Sequence, residues 1–488
     1  MQYDVLVIGG GPAGAAAARL LSSWSHSVLL LTRPSPQAGL AESIPPSCMK
    51  LLDRIGAVEA IEHAAFVHST GNTVYWGGQE RVALFPPGEY GYQVERSTFD
   101  ALLLDLAENI GAEVLTGATV RNWQRTPDGW SVSYLTQSGE QHATARWLLD
   151  CSGRAGVMAK HGLRRPQPGR RTLALIGNWE IERGFGLTDE THTLVESHEA
   201  GWAWSVPISR TTRCVALMLD PELTQVESRA RLEQQYQAEL ARTVKLGALV
   251  QNARLVTTPW ACEASAYDAE RVSGDAMLLV GDAASFVDPL SSFGVKKALA
   301  SAWLAAVVTH TSLMQPELTT AASTFYEARE RHMFESLRHR SAELAGAAAA
   351  RHPHAFWEER AETDVTDVVA EPDSESLRQD AALLQAFEEL KQRASITLRV
   401  TSRVRRVELP IVRGNRIVLV THLVMPTFPG GIRYVRGVDL VKLADLATQY
   451  RQVPDLYDAY NRAAPNASLP DFLGALSLLI AKGALEHP

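Results

Sequence analysis

The chain has 488 residues and a formal net charge of −8, with 46% hydrophobic and 21% charged residues. This length favours two or three domains over one compact core, and the acidic balance gives no reason to expect a nucleic-acid partner. The four cysteines, Cys48, Cys151, Cys214 and Cys262, are too widely spaced for a metal-binding pair. We therefore expect structural thiols, no metal and a cytoplasmic protein. The longest apolar helix, around residues 298–308, is too short to span a bilayer, so no membrane partner is expected.

An apolar run at residues 3–8, a predicted strand, leads directly into a glycine-rich turn and a predicted helix. The glycine spacing is that of the dinucleotide fingerprint. The first glycine makes the turn, the second lets the backbone approach a pyrophosphate, and the third packs the helix on the strand. We expect a dinucleotide to be bound by Gly9, Gly11, Pro12, Ala13 and Gly14.

The second predicted strand ends at Thr32, where this fingerprint usually has an acidic residue that holds a ribose. A threonine hydroxyl binds ribose more weakly than a carboxylate does. Arg33 follows, and it has two interpretations: it selects a 2′-phosphate, or it covers the adenine ring. The motifs further along the chain favour the second.

Two further segments each precede a predicted helix: residues 41–46, Ala-Glu-Ser-Ile-Pro-Pro, and residues 93–100. Taken alone, the first is typical of a proline-ended loop with Glu42 in solvent. Arg96, in the second, is typical of a surface arginine at a helix start. A cation is slightly unfavourable there, which favours an anionic partner for Arg96.

The segment 201–207, Gly-Trp-Ala-Trp-Ser-Val-Pro, predicts a strand with Trp202 and Trp204 on one face. One interpretation is a pair of core tryptophans beneath a sheet. The other is a pocket wall, completed by Pro207, for an aromatic or indole substrate.

The stretch from 276 to 299 predicts a buried strand, a short loop and a helix. Asp282 follows the strand and can accept hydrogen bonds from a hydroxylated chain. The helix that starts near Phe293, Gly294 and Val295 suits a group that becomes anionic. A reduced flavin presents both needs, on its ribityl chain and on the N1/C2 edge of its ring.

In this order the motifs resemble those of the superfamily of FAD-dependent aromatic hydroxylases and flavin-dependent halogenases. The matching segments are the glycine turn, the Glu-Ser segment, the Trp-x-Trp strand and the Gly-Asp-Ala loop with its Asp-Pro and Gly-Val. The resemblance implies non-covalent FAD. It implies FAD contacts by Gly9, Gly11, Pro12, Ala13, Gly14, Thr32, Arg33, Glu42, Ser43, Arg96, Val120, Gly281, Asp282, Phe293, Gly294 and Val295.

The resemblance also implies an α/β fold. We expect a Rossmann-type FAD-binding domain of the p-hydroxybenzoate hydroxylase and halogenase type over residues 1–312. An antiparallel substrate sheet, at about 60–95 and 175–270, is inserted in it. A helical region with an acidic linker is expected at 313–392. A mainly helical, winged-helix-like domain is expected at 393–488, where three predicted helices follow paired strands.

Two departures from the halogenase pattern favour hydroxylation. Halogenases carry a lysine shortly after their Glu-Ser segment, whereas residues 65–70, Ala-Phe-Val-His-Ser-Thr, contain none. Halogenases also place Ser or Thr before the helix glycine, where amides hold a halide; here Phe293 is expected to crowd that site. Without both features, the resemblance implies that a flavin C4a-hydroperoxide keeps its oxygen until an aromatic ring attacks it.

The candidate catalytic residues are His68, Lys296 and Glu42. His68 is either an acid/base group near the flavin ring or a partly exposed histidine at a strand edge. Lys296 lies one turn into the flavin helix and points either at the ring or at solvent. The candidate substrate pocket consists of Trp202, Trp204, Pro207 and Phe293.

Residues 393–436 are rich in arginine, with Glu408 almost the only acid there. The arginines singled out are Arg399, Arg403, Arg405, Arg406, Arg413, Arg416 and Arg433. One interpretation is a dimer contact or a cap over the flavin domain; the other is a docking surface for an acidic peptide or protein. An acidic linker is predicted at 358–375.

The tryptophan strand, the missing lysine and the C-terminal module together resemble the flavoprotein monooxygenases that mature tryptophylquinone cofactors, as in quinohemoprotein amine dehydrogenase. These hydroxylate a tryptophan of a partner polypeptide. We therefore expect an FAD-dependent monooxygenase acting on an indole ring, with molecular oxygen and either reduced nicotinamide or a separate flavin reductase as partners. The alternatives are an indole or phenol halogenase, a small-molecule aromatic hydroxylase, an NAD-dependent dehydrogenase and a non-catalytic flavoprotein.

Overall fold

The computed structural model describes residues 2–33, 39–167, 171–224, 231–288, 290, 293–361, 380–392, 395–464 and 466–487. The chain divides into two compact units, Met1–Val368 and Val369–Pro488. Pro289 of the Asp-Pro motif and most of the predicted acidic linker lie outside the described residues. The first four linker residues, 358–361, belong to a helix.

The first unit contains both strands and helices, with several strands in succession between some of the helices. Its helices are α1 (Pro12–Ser23), α2 (Met49–Arg54), α3 (Val58–His63), α4 (Arg96–Asn109), α5 (Leu232–Leu240), α6 (Lys245–Val250), α7 (Gly294–Met314), α8 (Thr319–Ala349) and α9 (Ala355–Ala361). Its strands are β1 (Gln2–Ile8), β2 (Val28–Thr32), β3 (Ala41–Ile44), β4 (Val67–Ser69), β5 (Gly71–Trp76), β6 (Gln79–Leu84), β7 (Gly91–Glu95), β8 (Glu113–Thr116), β9 (Thr119–Thr126), β10 (Gly129–Thr136), β11 (Gly139–Asp150), β12 (Arg164–Pro166), β13 (Leu173–Glu180), β14 (Thr193–His198), β15 (Gly201–Pro207), β16 (Thr212–Leu219), β17 (Arg254–Leu255), β18 (Trp260–Glu263), β19 (Tyr267–Ala269), β20 (Ser273–Gly274) and β21 (Met277–Leu279).

The nucleotide-binding sheet has the strand order β20-β21-β11-β1-β2-β8, with β10 and then β9 added beside β11. Strand β1 pairs in parallel with both β11 and β2, and β11 pairs in parallel with β21. Val5, Leu6 and Val7 are fully buried, because a central parallel strand is covered on both faces and needs an unbroken apolar run. The strands and helices predicted around the glycine turn and the Gly-Asp-Ala loop are all present.

A second sheet, β17-β13-β16-β15-β14-β5-β6, has β18 beside β13. Its pairs are antiparallel except for β14 with β5. These strands come from the two segments predicted for the substrate sheet. A smaller sheet, β3-β7-β4, carries the Glu-Ser segment on one edge strand and residues 67–69 on the other.

The division of the chain differs from the predicted three regions. Residue 312 lies inside α7, and α8 and α9 belong to the first unit. The reason is side-chain packing across the second sheet. Trp76 Nε1 donates to the Leu344 carbonyl of α8 at 2.8 Å, and Trp357 Nε1 of α9 donates to the His198 carbonyl of β14 at 2.8 Å.

The second unit begins with a helix, continues with paired strands and three helices, and ends with a short strand. Paired strands followed by three helices are the order predicted from the sequence. Its helices are α10 (Ala381–Gln392), α11 (Leu440–Ala447), α12 (Val453–Ala463) and α13 (Leu469–Ala481). Its strands are β22 (Arg399–Val400), β23 (Arg405–Arg413), β24 (Arg416–Met425), β25 (Phe428–Ile432), β26 (Tyr434–Val435), β27 (Val438–Asp439) and β28 (Leu485–Glu486). Residues of α10 to α13 form one core with β24 and β25, which includes Leu423, Leu443, Leu456 and Phe472.

Among the described residues of this unit, three of the seven arginines have acidic partners. Arg399 pairs with Glu486 at 2.8 Å, Arg433 pairs with Asp439 at 2.8 Å, and Arg406 pairs with Asp445. Residue 393 lies outside the described residues. Within the part of the chain that the structure describes, every helix is too short or too polar to cross a membrane.

Candidate active site

In the glycine turn between β1 and α1, neighbouring backbone leaves no room for a side chain at two of the glycines but leaves room at a third. Gly9 has φ of 106°, and a Cβ there would lie 2.4 Å from the Cys151 carbonyl oxygen. A Cβ at Gly14 would lie 1.8 Å from the Gly9 carbonyl oxygen. At Gly11 the nearest atom to an added Cβ is Arg96 Nη2, at 3.8 Å. Gly11 therefore faces the space where a pyrophosphate is expected.

Thr32 supports this turn. Its Oγ1 accepts a hydrogen bond from the Gly10 amide at 3.1 Å and donates to the Arg33 carbonyl at 3.1 Å. A Cβ at Gly10 would lie 2.7 Å from the same hydroxyl oxygen. The Thr32 hydroxyl that is expected to contact the ribose therefore also makes the hydrogen bonds that support the turn. Arg33 is exposed, and Gly10 is a constrained position that spacing alone did not single out.

The first turns of α1 and α7 offer backbone amides to an anionic group. Gly11 caps α1 and Phe293 caps α7, and neither cap makes a side-chain hydrogen bond. No acidic residue lies in the first turn of either helix. Pro12 begins α1, Ala13 is buried beside it, and Val295 is buried in α7. Two uncapped helix starts fit a pyrophosphate and an electron-rich ring edge.

Arg96 connects three of the expected cofactor-binding segments. Its Nη1 lies 2.9 Å from Glu42 Oε1, and its Nε and Nη2 donate to the two oxygens of Asp100 at 3.0 and 2.9 Å. Glu42 Oε2 in turn lies 3.8 Å from the position of a Cβ at Gly294. The contacts therefore run from the glycine turn to the start of α7.

These acids are anionic partners of Arg96 within the chain itself. The anionic partners that the structure gives it are Asp100 and Glu42. Burial lowers the pKa of the Arg96 guanidinium, but the two carboxylates outweigh burial and raise that pKa. Burial raises the pKa of Asp100, and Arg96 opposes this. Asp100 was missed in the sequence, although it stands four residues after Arg96 on a helix, the spacing of an ion pair.

Ser43 and Val120 lie at the margin of this arrangement. Ser43 is half-buried in β3 opposite Gln93 of β7. Val120 is half-buried in β9 opposite Tyr134, and it packs against the nucleotide-sheet core that includes Leu31.

The Gly-Asp-Ala loop is held from behind by a buried lysine. Lys297 Nζ donates to the Gly281 carbonyl at 3.0 Å and to the Ser285 carbonyl, and lies 3.4 Å from Asp282 Oδ1. Gly281 adopts φ of 62°, and its amide donates to Ser301 Oγ at 2.8 Å. Asp282 remains half-buried beside the loop.

Lys296, the lysine selected from the sequence, lies elsewhere. It donates to Ser47 Oγ at 3.1 Å, and its Nζ lies 4.9 Å above the ring of Phe293. Lys297 could have been preferred from helical spacing, because it lies on the same face as the apolar residues of α7.

The tryptophan strand, β15, meets the Gly-Asp-Ala loop of residues 281–288, called the flavin loop below, but its two tryptophan rings differ in exposure. Trp202 is 1% exposed and packs in one core with Trp76 and Trp357, which corrects its expected place on a pocket wall. Pro207 is also buried. Trp204 is half-buried, with its ring centroid 5.3 Å from that of Trp202. Phe286 packs against the same core, so loop and strand are neighbours.

Asp288 is a further acid of this loop. Burial raises the pKa of its carboxyl to about 6, while Arg360, the Leu290 amide and the Trp202 side chain act to lower it. Phe293 is 39% exposed at the start of α7.

The structure does not bring His68 to the tryptophan strand. His68 stacks on Tyr90 with ring centroids 4.4 Å apart, and its Nε2 lies 3.7 Å from Glu62 of α3. It stands opposite Tyr92 in β7, whereas the neighbouring Gln93 side chain bonds Thr193 of the second sheet. His68 therefore lies on the face that turns away from that sheet, as a largely exposed residue of an edge strand.

Comparison with known proteins places these features in a family. The family model described as an FAD binding domain matches residues 2–310. A tryptophan 2-halogenase of Chondromyces crocatus is 31% identical over 66% of this chain and 64% of its own length. A flavin-dependent halogenase of Armillaria mellea, armH1, is 29% identical over 67% of this chain and 68% of its own length. The chain thus spans about two thirds of the length of these curated relatives.

Two solved structures match almost the whole chain. The flavin-dependent halogenase CmlS aligns with a TM-score of 0.78 and 22% identity, over 99% of this chain and 96% of its own. The peptidyl tryptophan dihydroxylase QhpG aligns with a TM-score of 0.69 and 22% identity, over 99% and 100%. These likenesses show the fold. With the family match, they confirm the expected flavoprotein superfamily, the α/β fold and FAD as the cofactor.

Proposed function

Because the chain belongs to the FAD binding domain family, we propose that it is an FAD-dependent monooxygenase that hydroxylates an aromatic ring. The substrate we assign to it is the indole of a tryptophan side chain in a polypeptide. Each part of this proposal is supported by a different feature of the chain.

The residues around the glycine turn and the Gly-Asp-Ala loop fit FAD. Gly11 and the start of α1 would hold the pyrophosphate, Asp282 would accept hydrogen bonds from hydroxyl groups, and the start of α7 favours negative charge. Bound FAD supplies the activation of molecular oxygen. The protein's own residues would bind the cofactor at its pyrophosphate and at its ring, and would present an aromatic surface to the substrate.

Phe293 is the observation that carries hydroxylation over halogenation. It occupies the cap position of α7, directly before Gly294; its ring is 39% exposed, and the Lys296 ammonium lies 4.9 Å from the ring centre. We expect an aromatic side chain at this helix start to crowd a bound halide. Residues 65–70 also contain no lysine, and His68 in that stretch faces α3, away from the second sheet.

Trp204 and Phe286 support an aromatic substrate. Both are partly exposed and pack against one core, at the junction of the tryptophan strand and the flavin loop. Aromatic rings favour offset or edge-on contacts with another aromatic ring. A polypeptide substrate is supported by the likeness to QhpG, whose name describes a peptidyl tryptophan dihydroxylase and which aligns over the second unit as well.

Halogenation of an indole is the second candidate, and the 31% identity to a tryptophan 2-halogenase favours it. A competition experiment separates the two. The FAD-loaded protein is incubated with a flavin reductase, reduced nicotinamide, oxygen, bromide and a tryptophan-containing peptide. We expect hydroxylated peptide at a yield independent of bromide. A brominated peptide, or a product that requires bromide, would establish the halogenase instead.

A further inference from the structure

The most deeply buried cation next to the flavin loop is a lysine that the proposed reaction does not use. The Lys297 side chain is 4% exposed. Three acceptors of its ammonium, the carbonyls of Gly281 and Ser285 and the carboxylate of Asp282, belong to one five-residue segment. A buried ammonium is costly unless it is paired and hydrogen-bonded. A methionine would fill the same apolar face of α7, so packing alone does not explain the lysine.

A second acid, Glu330, stands near Lys297. Glu330, from α8, is 3% exposed, and neither of its carboxylate oxygens has a hydrogen-bond partner among the described residues. The charge of Lys297 opposes the effect of burial on this carboxyl. Ser301 and Tyr326 stand close by, with their hydroxyl oxygens 3.1 Å apart.

A cavity of about 40 Å³ lies next to Glu330 and the flavin loop. Glu330 and Ser285 both line it, together with Asp268 and Arg331. It is large enough for a water molecule. The flavin loop is therefore held by Lys297, and Glu330 and this polar cavity lie next to it.

We propose that Lys297 is a positioning residue for FAD, an inference that rests on the proposed flavin site. Its ammonium draws the Gly281 and Ser285 carbonyls and the Asp282 carboxylate toward one point, which fixes the direction in which Asp282 presents its second oxygen. Without this cation, two carbonyls and a carboxylate of the loop lose their hydrogen-bond donor. It then relaxes to another arrangement, and Asp282 no longer meets the cofactor in one orientation.

Three variants test this role: Lys297→Met, Lys297→Arg and the double variant Lys297→Met with Glu330→Gln. Lys245→Met is the matched control, since Lys245 donates to a carboxylate, Glu80, at 3.1 Å but on the surface. The readouts are the dissociation constant of FAD from titration of the apoprotein and the thermal midpoint. Neither needs turnover, so a failure of the hydroxylase proposal does not affect them.

We expect Lys297→Met to weaken FAD binding roughly tenfold to a hundredfold, the loss typical of charged hydrogen bonds, and Lys297→Arg to recover part of it. The double variant should regain thermal stability while FAD binding stays weak. Recovery of both would mean that Lys297 only neutralises Glu330. FAD affinity within twofold of the parent in Lys297→Met, or in the double variant if the single one does not fold, would overturn the proposal.

Discussion

The Arg96 guanidinium donates to Glu42 Oε1 at 2.9 Å and thereby ties the first turn of α4 to strand β3. Both side chains are half-buried, and the same guanidinium holds both oxygens of Asp100. One cation thus fixes two acids between the glycine turn and the start of α7. This cluster links segments that are expected to bind FAD and is itself partly buried.

Replacing Arg96 by Met should therefore affect stability and FAD affinity together. Two partly buried carboxylates lose their cation, which we expect to cost on the order of 2 kcal/mol of unfolding free energy. Arg340→Met is the control, because Arg340 pairs with Glu343 at the same 2.9 Å on an exposed helix face. Denaturant unfolding and FAD titration measure both effects. Equal behaviour of the two variants would contradict the role of the cluster.

Gly11 should separate folding from cofactor binding. A Cβ at this position meets nothing closer than 3.8 Å, so Gly11→Leu should fold but exclude the pyrophosphate. Gly14→Ala should fail to fold normally, because its Cβ would lie 1.8 Å from a carbonyl oxygen. Circular dichroism and the flavin absorbance of the purified protein are the measurements. Gly474→Ala, in an open position of α13, is the control, and a yellow Gly11→Leu protein would refute the prediction.

Features that depend on local contacts could be predicted from the sequence, whereas features that depend on distant segments could not. The glycine spacing at 9, 11 and 14 is set by contacts within one turn, so local reasoning was sufficient. Alternation placed Trp202 and Trp204 on one strand face, but α8 and α9, more than a hundred residues later, decide which ring is covered. Periodicity within β15 contains no information about those helices.

The same reasoning explains the lysines and the domain boundary. Lys296 and Lys297 are adjacent, and only the packing of α7 against the flavin loop distinguishes them. The predicted boundary at residue 312 was placed where the motifs end. The compact unit instead includes α8 and α9, because their apolar side chains pack in its core. Sequence motifs therefore locate the expected cofactor site, whereas tertiary packing defines the extent of the first compact unit.

Glu330 should make stability depend on pH. Burial raises the pKa of its carboxyl from 4.5 to about 7, with Lys297 and Ser301 opposing. The folded state thus favours the protonated form, so this stabilisation is complete below pH 4.5 and is lost as pH rises to about 7. Relative to the parent protein, the unfolding free energy of Glu330→Gln should rise by roughly 3 kcal/mol between pH 4.5 and about pH 7. Denaturant unfolding at both ends tests this, and a gain that is the same at each end would contradict it.

A lysine at position 68 should not produce a halogenase. In the structure His68 faces α3, and Phe293 still occupies the residue before Gly294. We therefore expect His68→Lys to give no halogenated product in bromide, by mass spectrometry of the peptide. Bromide incorporation by this single variant would show that neither Phe293 nor the strand direction prevents halogenation.

The exposed arginines of β23 and β24 should act on substrate association. Arg406 is unsuitable for charge reversal because it pairs with Asp445, so the test variant reverses Arg405, Arg413 and Arg416, all exposed. Rim charges act on association and are screened by salt. We expect weaker binding of an acidic tryptophan peptide at low ionic strength, with unchanged FAD content. An equal loss for free tryptophan would mean that these residues only support the fold.

The central claim is that the flavin site delivers oxygen, and no halogen, to an aromatic ring. Its most direct test is the mass spectrum of a tryptophan-containing polypeptide after turnover under isotopically labelled dioxygen in the presence of bromide. The account predicts that each added oxygen atom carries the label and that no bromine is incorporated. Bromine in the product, or oxygen that comes from water, would contradict it.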